Sequence, residues 1–357
     1  MTLKVTKKIL FIGNSNSFST AKHRSDALVR LGYEVIHCDP YIQIQERLFS
    51  KYLSFFDLRT GFIFVQPKMK TWIESILRNY VKEDFIFIWI DQGELFGRDC
   101  IILLKDKAPV ILYNNDDPTG KRDGKRFNQV IKSCNLYSLI VVVRNETKED
   151  FINKGLSNIL RVHMSYDEIV HKPVIDDYEI PNIYICDIAF IGTWMRHENR
   201  DIVLLKLIQA GFKIAIWGDR WQKSMYWKEL KFYHRGGAIS GENYVSAIRG
   251  AKICLGLLSK GNRDLHTQRS LEIPYSGGLL CAQRTSEHKQ MYNECEEAVF
   301  WSDIDECIIK CKKLLNDNIL REKIRLAGMR RVRENKVGNE DVCNMIITEF
   351  LKNENNK

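Results

Sequence analysis

The sequence has few of the features that would take it out of the class of folded soluble proteins. With 7 Pro and 21 Gly in 357 residues, it has neither a collagen-like nor a disordered composition. No apolar run approaches the ~20 residues that a membrane-spanning helix needs. The opening Met1-Thr2-Leu3-Lys4 leads into a short Ile-Leu-Phe-Ile run that reads as a first strand, not as a signal peptide. The ten cysteines contain no Cys-x2-Cys pair, which argues against zinc and dithiol sites and makes them read as reduced core residues of a cytoplasmic protein. Cys307 and Cys311 share a helix face without a second ligand pair, so no metal is expected. The loop Gly13–Thr20 lacks the ending of a Walker loop, and Gly-x-Gly-x-x-Gly is also missing, which argues against ATPases and dehydrogenases.

What is present is an excess of 54 Lys and Arg over 45 Asp and Glu, a net charge of +9 that favours anionic partners such as nucleotides, phosphorylated sugars or an acidic membrane surface. At one domain per ~150 residues the length suggests two domains. Apolar β-branched runs alternate with amphipathic stretches: Lys8–Ile12, Glu34–Cys38, Phe85–Ile90, Val110–Tyr113, Leu139–Val143 and Ile159–Val162 as strands, with helices such as Thr20–Leu31 and Thr71–Val81 between them. The polar stretch Asp167–Asn182 reads as a hinge. The alternation restarts with Asp187–Ile191, Lys213–Trp217, Lys252–Leu257, Leu279–Ala282 and Ala298–Trp301, and the helices Ile304–Asn316, Asn318–Glu334 and Glu340–Lys352 follow. The fold class is therefore α/β: two Rossmann-like, doubly wound parallel-sheet domains facing across a cleft, residues 1–170 and 183–340, with a C-terminal helix over 341–357.

Residues at strand ends are the candidates for chemistry. In the first domain these are Asp91 as a polar or general-base group where a strand end meets the crevice, His23 and Arg24 on the first helix, and the loop Gly13–Thr20, rich in small donors suited to hydroxylated or phosphorylated ligands. Asn114-Asn115-Asp116-Asp117-Pro118 offers carboxylates but also reads as turn chemistry. In the second domain a helix Thr267–Ser276, capped by the Thr267 hydroxyl, points unpaired amides at a phosphate. Its inner residue Glu272 sits among apolar neighbours. Arg196 and Arg200 on one loop and Lys260 on another supply cations, with Arg269 behind them. Gly237 and Ile239 follow a short strand where a nucleobase can approach the backbone. Trp194, Trp217 and Trp221 read first as core and second as stacking platforms. The basic segments Lys310–Lys313 and Arg321–Arg333 read as a solvated face, with peripheral contact to an anionic membrane as the alternative.

The run Arg269-Ser270-Leu271-Glu272-Ile273-Pro274-Tyr275-Ser276-Gly277-Gly278, followed by Gln283-Arg284-Thr285-Ser286-Glu287, resembles the core of the spore maturation protein CgeB-like family, within the group 1 glycosyltransferases of the GT-B fold. Leu271 stands where Phe is usual, and Tyr275-Ser276 where Ala-Cys is usual. The similarity extends to Asp187–Trp194 and Leu326–Val332 and, more weakly, in the first half to Phe11–Gly13 with Arg24, Leu28 and Leu31–Val35, and to Asn115–Pro118. The resemblance implies a metal-independent transferase, without a cofactor, that moves a sugar from a nucleotide-diphosphate sugar on the second domain to a glycan, lipid-linked or protein acceptor on the first, in surface polysaccharide or coat synthesis; nucleic acid is not an expected partner. It implies that Glu272 accepts the ribose hydroxyls, that Asp264, eight positions earlier, contacts the sugar, and that the donor's anomeric configuration is retained. A nucleotide-sugar epimerase or hydrolase and a non-catalytic nucleotide-sugar-binding scaffold remain as alternatives.

Overall fold

The computed structural model describes residues 8–82, 84–173 and 179–355. Two compact units divide them, the first built from Met1–His163, Gly261–Arg263 and Asn339–Lys357, the second from Met164–Lys260 and Asp264–Gly338. Each holds one six-stranded sheet in which every pairing is parallel. The first sheet consists of β1 (Lys8–Ile12), β2 (Glu34–Cys38), β3 (Phe87–Asp91), β4 (Val110–Asn114), β5 (Leu139–Val142) and β6 (Ile159–Arg161), in the order β2-β1-β3-β4-β5-β6. The second consists of β7 (Cys186–Ile191), β8 (Ile214–Trp217), β9 (His234–Gly236), β10 (Ala251–Gly256), β11 (Leu280–Gln283) and β12 (Val299–Trp301), in the order β12-β11-β10-β7-β8-β9.

The central strands are buried almost throughout because helices cover both faces of a parallel sheet, and this is why they read as unbroken apolar runs. In each sheet the winding reverses beside the first strand, between β1 and β3 and between β7 and β10. A reversal opens a crevice at the carboxyl ends of the two strands. The helix Thr20–Arg30 follows β1, starts on the Ser19 hydroxyl, which accepts from the Lys22 amide, and is ended by Gly32 at φ +88°.

Three expectations need correcting. The helix placed at Thr71–Val81 runs over Gln66–Leu77, because Pro67 fits the first turn, where an amide has no helical partner anyway. The last helix, Asn339–Asn355, belongs to the first unit, where Phe350 meets Phe87 edge-on at 5.4 Å and Glu340 pairs with Arg30 at 2.5 Å. Of the stretch read as a hinge, residues 174–178 lie outside those described, and residues 167–173 fold into the second unit together with the Met164–Tyr166 segment before them: Tyr166 stacks on Tyr275 with ring centres 3.9 Å apart, and the Ser276 hydroxyl donates to the His171 carbonyl at 3.0 Å.

The basic helix Asn318–Glu334 is not simply a solvated face. Arg325 donates to the carbonyl of Gly277 at 3.0 Å, Arg333 to that of Tyr275 at 3.1 Å and Arg331 to that of Met291 at 3.1 Å, while Arg249 reaches Gly277 from elsewhere at 3.3 Å. Cations thus gather at the carbonyl end of the helix Arg269–Tyr275, where the backbone dipole favours them. Among the described residues, no helix is long and apolar enough to cross a membrane.

Candidate functional site

The crevice between β7 and β10 is bounded by the loop after β7, the loop after β10 and the helix Arg269–Tyr275 that this second loop enters. On the other side of β7 the loop after β8 presses close: a Cβ on Gly218, at φ +135°, would lie 2.2 Å from the carbonyl oxygen of Gly192. The helix is shorter than expected. It begins at Arg269, and no side chain caps it. The amides of Ser270, Leu271 and Glu272 donate to the carbonyls of Thr267 and Gln268 at 2.8–2.9 Å, so they are not free for a phosphate. The Thr267 hydroxyl, expected to cap the helix, is buried with no hydrogen-bond partner among the described residues.

Glu272 is 9% exposed and held from two sides. One carboxylate oxygen accepts from the Tyr244 hydroxyl at 2.6 Å, and the other faces Nε2 of His171 at 3.6 Å. Burial and the neighbouring carboxylate push the Tyr244 phenol well above its ordinary pKa, which keeps it a donor. Each carboxylate oxygen has two acceptor sites, so this arrangement leaves acceptor capacity for a pair of ligand hydroxyls.

The cations expected around a phosphate divide into two sets. Arg196 and the Lys260 ammonium are exposed and make no ion pair among the described residues, and Arg269 is half-buried with Nε on the carbonyl of Ile191. Arg200 is instead buried, with its guanidinium on the carbonyls of Thr193 at 2.9 Å and Leu258 at 3.4 Å, where it braces the two loops. Glu198, which sequence reasoning passed over, ties the same loops together: its oxygens accept from the Ser259 hydroxyl at 2.9 Å and the Lys260 amide at 2.8 Å. Asp264 closes its own loop, accepting from the Ser259 amide at 3.3 Å. Beyond β9, the Ala238 amide donates to Asp219 at 3.3 Å, with Gly237 exposed and Ile239 half-buried. Trp217 and Trp221 are core residues, and half-buried Trp194 donates to Asp201 at 2.8 Å.

Behind Thr267 runs a buried chain that the sequence did not disclose. The Thr267 amide donates to the Ser270 hydroxyl oxygen at 3.1 Å, Ser270 bonds Nε2 of His288 at 2.8 Å, and Nδ1 of His288 bonds the Gln283 carbonyl at 2.7 Å. A carbonyl only accepts, so Nδ1 carries the proton and Nε2 accepts from the serine. Beside it, His266 takes the Met164 amide on Nε2 at 3.0 Å and bonds Glu287 through Nδ1. Burial lowers the His288 pKa to about 4. An unfolded chain takes up this proton as the pH falls through about 6.5, whereas the folded chain resists until about 4, so stability is lost across that window. The expected loss is on the order of 3 kcal/mol. Urea unfolding at pH 7, 5.5 and 4 reads it, and the same acid slope in His288→Gln would refute the assignment.

In the first unit, Asp91 ends β3 where the crevice opens, but Arg24 holds both of its oxygens, through Nε at 2.8 Å and a terminal nitrogen at 3.1 Å. The two side chains are 1–2% exposed. His23 is also buried, its Nε2 on the Ser17 carbonyl at 3.0 Å. The loop 13–20 spends its small groups largely on itself and on Asp39: Ser15 bonds Asp39, Ser19 bonds the Asn14 carbonyl and the Asn14 side chain accepts from the Asn16 amide. The neighbouring carboxylates are paired too. Asp116 meets Arg122 and Arg126, and Asp117 accepts from Arg263 twice at 2.7 Å and from Thr147 at 2.8 Å. Burial raises the Asp117 pKa, and the hydrogen bonds from Arg263 and Thr147 overcome that and hold it below the usual carboxylate range. In the apolar core of the second unit, Cys281 joins Cys307 and Cys311, with the three sulfurs within 4.8 Å of one another and fully buried.

The family described as glycosyl transferase-like matches residues 200–339, which carry the helix of Glu272 and the chain behind it. No curated protein matches the chain in sequence. Among solved structures, sucrose-phosphate synthase from Thermosynechococcus elongatus superposes with a TM-score of 0.69 at 10% identity, over 98% of this chain and 100% of that one. Anabaena HepE in complex with UDP-glucose superposes with a TM-score of 0.65 at 10% identity, over 97% and 99%. A Listeria monocytogenes protein provisionally named a UDP-N-acetylglucosamine 2-epimerase gives 0.56 at 10% identity, over 96% and 95%. The fold is GT-B.

Proposed function

We propose that this chain is a glycosyltransferase whose second unit holds a nucleoside-diphosphate sugar and whose first unit receives an acceptor hydroxyl. The observation that carries the reading is Glu272, a buried carboxylate anchored by Tyr244 at a sheet reversal, with acceptor capacity left for two vicinal ribose hydroxyls. Arg196, Lys260 and Arg269 are the cations assigned to the diphosphate and to the charge that grows on it as the sugar leaves, with the Thr267 hydroxyl as a further partner. Asp264 is assigned to the sugar. The family matched over residues 200–339 and the HepE complex with UDP-glucose support this reading and make uridine diphosphate sugars the first donors to try. The finer assignment is a CgeB-like, retaining enzyme of coat or surface-polysaccharide synthesis.

The test is turnover of UDP-sugars with and without a panel of glycan acceptors. Transfer is expected, with the donor's anomeric configuration kept in the product by NMR, and it is expected to survive EDTA because side chains neutralise the leaving diphosphate. Activity lost to EDTA and restored by Mn²⁺ would redirect the assignment to Asp116 and Asp117. The Listeria structure supports a second reading, conversion of the nucleotide sugar alone. Donor consumption independent of acceptor would favour it, and binding without turnover would favour a scaffold.

A further inference from the structure

The crevice between β1 and β3 holds a cavity of about 350 Å³, lined among others by Asn14 and Thr20 after β1, by Asp91, Gln92 and Glu94 at the end of β3, and by Arg126. Glu94 is 2% exposed. One of its oxygens accepts from the Tyr41 hydroxyl at 3.1 Å and from Arg126 at 2.7 Å, while Oε2 is buried with no hydrogen-bond partner among the described residues. Two residues before it, at φ +70°, Gln92 gives its amide nitrogen to Asn115, and its oxygen is likewise buried without a partner. Two acceptor atoms on residues that line one cavity are therefore without a protein donor, and a ligand that carries donors would supply them.

The cations nearby are already engaged. Arg126 pairs with Glu94 and Asp116, and Arg24 pairs with Asp91. The cavity thus offers acceptors to an incoming hydroxyl and presents carboxylates to an incoming anion.

We propose that this cavity takes the acceptor as a neutral, hydroxyl-bearing glycan that donates to Glu94 and Gln92, and that it rejects phosphorylated glycans. The identification of the ligand as the acceptor rests on the transferase reading above; the chemistry of the cavity does not. Glu94 is the residue that discriminates between the two classes.

Saturation-transfer NMR and calorimetry on the full-length protein test this with methyl glucosides, galactosides and mannosides as neutral probes and glucose 6-phosphate as the anionic one. At least one neutral glycoside is expected to bind, tenfold or more tighter than glucose 6-phosphate. Glu94→Gln, which keeps the shape, is expected to weaken that glycoside 10- to 100-fold, and Gln92→Ala by a smaller factor, with UDP affinity unchanged in both as the control for folding. Binding of no neutral glycoside, equal or tighter binding of glucose 6-phosphate, or an unchanged glycoside affinity in a folded Glu94→Gln would each overturn the proposal. Loss of UDP binding in the wild type alongside intact glycoside binding would instead count against the transferase reading and leave the cavity as assigned.

Discussion

Glu272→Ala is expected to weaken binding of a nucleoside diphosphate by roughly 10- to 10,000-fold, because it removes one or two charge-assisted hydrogen bonds of ~1.5–3 kcal/mol each. Glu272→Gln should fall between alanine and wild type, since it keeps one acceptor oxygen and turns the other into a donor. The alanine variant also leaves the buried Tyr244 hydroxyl without its carboxylate, which costs stability of ~1–3 kcal/mol but not the fold. Calorimetric titration, with thermal unfolding run alongside, separates the two effects. Unchanged affinity in a folded Glu272→Ala protein would reduce Glu272 to the residue that keeps Tyr244 in place.

A second large effect is expected at the Arg24–Asp91 pair, where both partners are 1–2% exposed. Asp91→Ala strands a guanidinium left with the Thr20 hydroxyl at 3.0 Å and the face of Tyr113 at 4.2 Å. Breaking a buried pair from one side typically costs ~3–5 kcal/mol, which corresponds to a fall in Tm of roughly 6–20 °C for a unit of this size. Replacing both partners, Arg24→Met with Asp91→Leu, should recover most of that loss, because no buried charge remains. If Asp91→Ala unfolded within about 1 kcal/mol of wild type, the pair would not carry this load. The same geometry bears on proton transfer. To act as a base, Asp91 must share both of its oxygens with Arg24, which donates to each of them.

The strands were legible to within a residue or two because a sheet covered on both faces demands uninterrupted apolar runs, and Lys8–Ile12 and Leu139–Val142 show this directly. Residue types at the site were legible for a related reason: a charged or small residue just past a strand end stands out against those runs. Their partners were not legible. Tyr244 reaches Glu272 from 28 residues away, and Glu198 reaches Ser259 from 61, and no local period encodes such meetings. The arginines of Asn318–Glu334 looked like a solvated face because charge spacing along a helix does not reveal that carbonyls of Tyr275 and Gly277 lie within reach. Thr267 does not cap because the helix begins at Arg269, with Gln268 rather than Thr267 at the cap position.

The return of the chain at Asn339–Asn355 to the first unit bears on the order in which the protein matures during synthesis. A ribosome emits residues 164–338, which make up nearly the whole second unit, before it emits the helix that completes the first. The second unit has its strands in hand while the first still lacks the side chains that cover Phe87 and lie beside Arg24. The usual sequence, in which the N-terminal domain finishes first, is therefore inverted. For the time it takes to translate the second unit, at about 5–20 residues per second, the first unit lacks the helix that meets Phe87.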